Sequence, residues 1–316
     1  MKTAFVFPGQ GAQKIGMGQE LSDKFNVAKD TFVEANEALN EDLAELIFNG
    51  PQDALTLTAN TQPAILTVSI AALRAFQTRC NTAPDFVAGH SLGEFSALVA
   101  SGAMDFSTAV RTTRARGTFM QSAVPAGLGA MAAVIKKTPE EVKQACKEAA
   151  QGEIVSPANF NSPGQIVISG NKDAVKRASV ILKKSGGRVI PLKVSAPFHC
   201  DLMNPAASKL DDFLGDITFK PPSPAVVTNV EAIPNNNAER ICELLVKQVT
   251  SPVRWTESIR YMIDKGVTTF IEFGPGTVLA GLISKIDNSI KIVSVNNEEG
   301  LDKAVEAVDK AESSIE

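Results

Sequence analysis

DFVAGHSLGE, residues 85–94, runs from a short apolar stretch into a glycine-flanked serine and on into helical sequence. Asp85 to Ala88 reads as a buried strand and Glu94 to Ala100 as a helix. Between them, Gly89-His90-Ser91-Leu92-Gly93 matches G-x-S-x-G, in which small neighbours let a tight strand-to-helix turn project the serine hydroxyl. Three fixed positions of such common residues arise by chance in roughly one chain of this length in ten. The bare motif is therefore weak, and a plain strand–helix turn is the alternative. Its placement between an apolar strand and a helix is the context that the chemistry demands.

Upstream, Thr3 to Phe7 reads as a first strand, followed by a loop with Gly9 and Gly11 and by helical sequence from about Gly18 to Asn40. Thr61 to Arg79 has the pattern of a mostly buried helix. Downstream, Gly102 is placed to stop the helix after the serine, and Asp105 to cap the next one, which carries Arg111, Arg114 and Arg116. From Gly129 the texture changes. AMAAVI reads as strand, Pro139 to Ala150 as helix, Glu153 to Asn159 and Gln165 to Gly170 as strands, Lys172 to Ser185 as helix, and Arg188 to Val194 as strand. That order is β-α-β-β-α-β, the ferredoxin-like pattern, with Asn161 to Gly164 (NSPG) turning between the central strands. Strands at Ala225 to Asn229 and Thr268 to Phe273 then restore the α/β texture, GPGT at Gly274 to Thr277 turns into a helix, and the tail after Gly300 reads as one amphipathic helix. The expected fold is α/β. An α/β-hydrolase-like large domain with a parallel sheet spans 1–127 and 196–316, and a ferredoxin-like (α+β) small domain is inserted at 128–195.

A chain of 316 residues, 44% apolar and 21% charged, has ample material for two packed lobes. Its net charge of −4 and lack of a Lys/Arg block give no reason to expect nucleic acid or an anionic membrane as partner. Cys80, Cys146, Cys200 and Cys242 form no C-x-x-C pair, which suggests neither a zinc site nor a disulfide framework but free thiols in a reducing compartment. The apolar run before Pro8 is too short for a secretory signal. The stretch from Ala64 to Phe76, broken by Thr67, Ser69 and Arg74, is too short to span a bilayer. A soluble cytoplasmic monomer is expected, or a plastid or mitochondrial lumen protein if a transit peptide was removed, with no metal site.

A serine nucleophile needs a base, and the chain has only two histidines, His90 and His199. On so tight a turn the side chain of His90 should point away from the hydroxyl of Ser91. His199, in the loop SAPFHC after the inserted domain, is then the available base; a packing or surface histidine is the alternative. The developing oxyanion needs donors. The Leu92 N–H is one by geometry, and the loop PGQGAQ after the first strand is the obvious source of a second. That loop lacks the last glycine of the dinucleotide pattern and the Gly-Lys of the Walker pattern, so no nucleotide cofactor is implied.

Taken together, FVFPGQGAQ, TQPA at Thr61 to Ala64, GHSLGE, RARGTFMQ, SPANFNSPGQ, APFHCDLM, QVTSPVRW and FGPG resemble, in order and over nearly the whole chain, the malonyl-CoA:acyl carrier protein transacylase family. The resemblance implies a ping-pong transfer of malonyl for fatty acid biosynthesis. Ser91 attacks malonyl-CoA with His199 as base, and the phosphopantetheine thiol of acyl carrier protein then discharges the ester. It assigns the oxyanion hole to the backbone amides of Gln10 and Leu92, and the orientation of His199 to a backbone carbonyl at Gln248 rather than to a carboxylate. No catalytic Asp or Glu and no bound cofactor are implied. Arg116 becomes the partner of the malonyl carboxylate, which a guanidinium holds through two parallel hydrogen bonds. The residues alone leave Arg111, Arg114 and Arg116 equivalent as solvated helix charges. Gln62, Met120 and Phe198 are carried over as pocket lining. The acidic carrier protein would meet only small basic clusters, Lys136 with Lys137 or Lys183 and Lys184 with Arg188, each of which also reads as an ordinary solvated face.

Three other functions fit parts of the pattern. A serine hydrolase or thioesterase would use the same serine and histidine with water as acceptor. A non-catalytic scaffold could keep the fold, although Ser91, His199 and Arg116 are intact. The same fold could also serve a different acyl-CoA.

Overall fold

β1 (Lys2–Phe7) is buried at every residue after Lys2, as a strand covered on both faces must be. The computed structural model describes residues 2–125, 127–192, 194 and 196–312. After β1 and its glycine loop come α1 (Gln19–Lys24), α2 (Asn26–Leu39), α3 (Leu43–Asn49), α4 (Gln52–Thr56) and the long α5 (Thr58–Gln77). β2 (Phe86–Gly89) turns into α6 (Gly93–Ala100), and α7 (Phe106–Ser122) follows. A second unit holds β3 (Gly129–Ile135), α8 (Pro139–Ala150), β4 (Val155–Ser162), β5 (Gln165–Asn171), α9 (Lys172–Lys184) and β6 (Arg188–Pro191). The chain returns through α10 (Asn204–Leu214), β7 (Val226–Val227), β8 (Pro234–Asn235), α11 (Ile241–Thr250), α12 (Trp255–Asp264), β9 (Val267–Phe273), α13 (Val278–Ile286), β10 (Lys291–Val295) and α14 (Glu298–Glu312).

Two sheets result. The first has the order β10-β9-β1-β2-β7-β8 and is parallel except for β8 at its edge. The second, β4-β5-β3-β6, is wholly antiparallel, with its own core under α8 and α9. This is the expected fold class: an α/β unit with a parallel sheet, and a separate ferredoxin-like unit. Residues 126, 193 and 195, at the expected domain junctions, and residues 313–316, at the end of the expected tail helix, lie outside the described residues.

Alternation along β1 sends Phe5 and Phe7 to one face, against Phe76 of α5 and Phe273 of β9, and Ala4 and Val6 to the other, into a core with Trp255 and Phe270. The Phe5–Phe273 and Phe76–Phe273 ring centroids are 4.9 and 5.2 Å apart in edge-on geometry. Such pairs each contribute about 0.5–1.5 kcal/mol beyond their burial. They also fix the strand that carries the site. In the β1–β2 register Phe7 lies opposite Gly89, so the loop after β1 and the turn after β2 leave the sheet side by side.

Three of the expected elements are broken or shortened. The helix expected from Gly18 to Asn40 is two helices, because Phe25 takes an extended conformation (φ −125°, ψ 115°) and sets its ring under the Arg79 guanidinium at 4.9 Å. The strand expected over Ala225 to Asn229 shortens to two residues, since the Asn229 N–H donates to the Glu94 carboxylate instead of continuing a ladder. β6 ends at Pro191, which has no N–H to extend pairing, although Leu192 N–H still reaches the Met131 carbonyl.

Candidate active site

The turn after β2 is sharp enough to force Ser91 to φ 51°, a left-handed conformation that side-chain-bearing residues rarely hold. A Cβ on Gly89 would lie 1.9 Å from the backbone of Gly93, and one on Gly93 would lie 2.1 Å from the Phe7 carbonyl oxygen. Both motif glycines are therefore steric necessities. The side chain of Asn229, just beyond β7, holds the turn across its width: Oδ1 accepts from Ser91 N–H at 2.6 Å and Nδ2 donates to the Gly89 carbonyl at 2.6 Å. His90 points away from the hydroxyl, as expected, with Nε2 2.8 Å from Asn161 Oδ1 and its ring edge-on to Trp255.

His199 arrives from the loop between β6 and α10 and places Nε2 2.8 Å from Ser91 Oγ. Its Nδ1 lies 2.9 Å from the Gln248 carbonyl and 3.2 Å from that of Ser251. A carbonyl can only accept, so Nδ1 carries the proton and Nε2 presents its lone pair to the serine. Burial, reinforced by the nearby Arg116 charge, pushes His199 down to about 3, which keeps the imidazole neutral. Among the described residues no carboxylate bonds His199.

Arg116 separates from its neighbours on α7 by burial. Arg111 donates to Thr108 on the exposed face, and Arg114 is tied to Glu41 and Asn60. Arg116 is 1% exposed. It donates to Gln62 Oε1 of α5 at 2.7 Å, to Gln248 Oε1 of α11 at 2.9 Å, and to Ser91 Oγ at 3.1 Å. Burial pulls its pKa down to about 10, with Glu94 acting in the opposite direction, so it stays cationic at neutral pH. Gln62 also reaches Met120 Sδ at 3.6 Å, which fixes its amide with the oxygen toward the arginine.

These groups line a cavity of about 170 Å³. Gln10, Gln62, Ser91, Leu92, Arg116, Met120, Phe198 and His199 all border it, while the second sheet supplies Met131, Asn159 and Val167 as the facing wall. The N–H of Ser91 is taken by Asn229, and Gln10 and Leu92, the residues expected to offer amides to an oxyanion, border the cavity. Gln248 stands behind the cavity wall and acts through both its carbonyl and its side chain. Of the expected basic clusters, Lys137 is not a free surface charge: it is buried, with Nζ on Glu141 and on the Ser185 carbonyl.

Sequence reasoning missed Asn229, Asn161 and the side-chain roles of Glu94 and Gln248. A signal existed for Glu94, since a lone carboxylate in the apolar helix GEFSALVA must be buried against a polar partner. Asn229 sits at the carboxyl end of a parallel strand, where α/β sheets place ligands.

A family model described as an acyl transferase domain matches residues 4–303. The malonyl CoA-acyl carrier protein transacylase of Bacillus subtilis (strain 168) is 50% identical over 309 residues, covering 97% of each chain. That of Escherichia coli (strain K12) is 47% identical over 304 residues, covering 96% of this chain and 98% of its own. Among solved structures, a malonyl-transacylase in complex with its type II PKS acyl-carrier protein superposes with a TM-score of 0.95 at 47% identity, covering 97% of this chain and 100% of that one. No helix among the described residues is long and apolar enough to cross a membrane.

Proposed function

The chain belongs to the acyl transferase family, and from that premise we propose that it moves a malonyl group from coenzyme A to the phosphopantetheine thiol of an acyl carrier protein through an ester on Ser91, supplying malonyl-acyl carrier protein for fatty acid biosynthesis. The full-length likeness to transacylases named for malonyl supports the donor, and the relative solved with its carrier protein supports the acceptor.

In the first half-reaction Ser91 Oγ attacks the thioester carbon while its proton passes to His199 Nε2, 2.8 Å away. The amides of Gln10 and Leu92 receive the oxyanion. Collapse expels the coenzyme A thiolate, which takes the proton back from His199. The carbonyls of Gln248 and Ser251 accept from Nδ1 throughout and offset the imidazolium while it exists. In the second half-reaction the pantetheine thiol gives its proton to His199 and attacks the ester, and Ser91 leaves reprotonated. Every group named in this scheme belongs to this chain.

The observation that carries the malonyl assignment is the buried Arg116 with an outer nitrogen 3.1 Å from Ser91 Oγ. An acyl group seated on the serine puts a terminal carboxylate within reach of that guanidinium. An acetyl group would leave it unmatched, and sites built around a polar partner reject analogues lacking it by about 10⁴-fold.

Intact-protein mass after brief incubation with malonyl-CoA tests the scheme. Wild type should gain a malonyl adduct that acyl carrier protein discharges, and Ser91→Ala should gain none. Free coenzyme A released without an adduct would instead make the chain a hydrolase, and neither adduct nor release would leave a scaffold.

A further inference from the structure

Glu94 lies three residues beyond the nucleophile, at the start of α6, and is 2% exposed. Its Oε2 accepts from the Asn229 N–H at 3.0 Å and from Gln248 Nε2 at 2.8 Å. The same Nε2 donates to the Ser91 carbonyl at 3.1 Å. Both donors of that amide are thereby committed, and its oxygen has to face Arg116, from which it accepts at 2.9 Å. A single glutamine side chain thus couples a buried carboxylate to the buried guanidinium beside the serine.

The charged surroundings are simple. Of the elements packed on α6, helix α7 brings Arg116 to face Glu94, while its other two arginines, Arg111 and Arg114, are engaged elsewhere. Helix α5 carries Arg74, paired with Glu34. Strand β1 carries only Lys2, exposed at its far end, and β2 is followed by His90, whose burial lowers its pKa. Strand β7 has no charged residue. His199 is neutral for the same reason as His90. Arg116 is the charged group that acts on Glu94.

We propose that Glu94 is a positioning residue and counter-ion for Arg116 that makes its selectivity for a carboxylate-bearing acyl group depend on pH: it balances the guanidinium before acylation and takes up a proton from solvent when the malonyl carboxylate assumes that role. The proposal rests on the malonyl reading above. Burial raises Glu94 to about 7, against the pull of its two hydrogen bonds and of Arg116. A second anion arriving at Arg116 repels the Glu94 carboxylate and raises it further, so seating malonyl binds a proton and is favoured at lower pH. Acetyl brings no charge and should be indifferent.

Glu94→Gln keeps an amide oxygen to accept from Asn229 and Gln248 while removing the charge. The measurement is the ratio of kcat/KM for malonyl-CoA to that for acetyl-CoA, in which titration of the coenzyme A phosphates cancels. In wild type a one-unit rise in the Glu94 pKa on seating malonyl makes the ratio fall about fivefold from about pH 6 to about pH 8, out of a full tenfold over a wider range. In Glu94→Gln it should be flat and no lower than the wild-type value at the acid end. A flat wild-type ratio, or an unchanged slope in the variant, overturns the proposal. Wild type alone gives a second test that needs no variant to fold. In weakly buffered solution at pH 7 with an indicator dye, malonyl adduct formation should take up about half a proton per site, and acetyl adduct formation none. Equal uptake with the two donors overturns it. A wild-type chain that forms no malonyl adduct would defeat the transacylase reading itself, a separate outcome.

Discussion

Asn229 and Ser91 meet through a 2.6 Å hydrogen bond from the serine N–H to the asparagine Oδ1, although 138 residues separate them. With Nδ2 on the Gly89 carbonyl, one side chain satisfies two backbone groups that the left-handed serine would otherwise leave unpaired. Asn229→Ala should leave both buried and unmatched, lowering stability by about 1–3 kcal/mol. It should slow acylation of Ser91 by about a hundredfold, because small misplacements of a nucleophile are costly. Chemical denaturation and single-turnover acylation measure the two effects; acylation at the wild-type rate would show that the elbow holds its shape without this clamp.

Gly89→Ala places a methyl group 1.9 Å from the Gly93 backbone, and no flexible side chain is there to yield. The expected outcome is loss of more than about 3 kcal/mol, the range reserved for severe packing and backbone conflicts. A melting temperature within a few degrees of wild type would contradict the geometry.

Arg116→Ala should reduce the preference for malonyl-CoA over acetyl-CoA by about a hundredfold or more while affecting acetyl transfer less. Arg116→Lys should not restore it, since an ammonium cannot serve Gln62, Gln248 and the substrate in one plane. Comparing adduct mass from the two donors reads this directly, and an unchanged preference would remove Arg116 from the recognition of malonyl.

Stability should also respond to pH through His199. Folding holds its pKa at about 3, well below the ordinary histidine value, so between those limits the unfolded chain binds a proton that the folded chain refuses. Stability from this group is present above about pH 6.5 and is lost as pH falls, by up to about 1.4 kcal/mol per pH unit. Glu94 runs the other way, its raised pKa adding stability as pH drops from about 7 toward its unfolded value. Denaturation midpoints from about pH 4 to 8 should therefore decline less steeply toward acid in His199→Gln than in wild type, and more steeply in Glu94→Gln. Parallel curves for all three proteins would contradict both pKa assignments.

Much of this was legible in the sequence because it depends on neighbours along the chain. The helix at Pro139–Ala150 falls where its pattern put it, with Thr138 and Glu141 closing a capping box. The strand–elbow–helix at Gly89 to Gly93 and the Asp105 cap of α7 are equally local. The side-chain roles of Asn229, Gln248 and Glu94 were not legible, since their partners lie 132 to 157 residues away and an amide or carboxylate has no meaning until its surroundings are known. Arg116 became distinct from Arg111 only through the resemblance, because burial is decided by which helix packs on α7. β10 was missed as an edge strand that runs from exposed Lys291 through three half-buried residues to buried Val295 with no clear period.

The pairing of Phe7 with Gly89 joins segments 82 residues apart, and Ser91 and His199 are separated by the whole second sheet. Contacts of such long range form late, after the entropy of closing large loops has been met. A growing or half-folded chain therefore carries the serine, the histidine and the arginine as three unconnected and harmless side chains. Chemical competence thus requires the paired strands, and a chain that has not yet joined β1 to β2 has no assembled site on which to capture acyl groups.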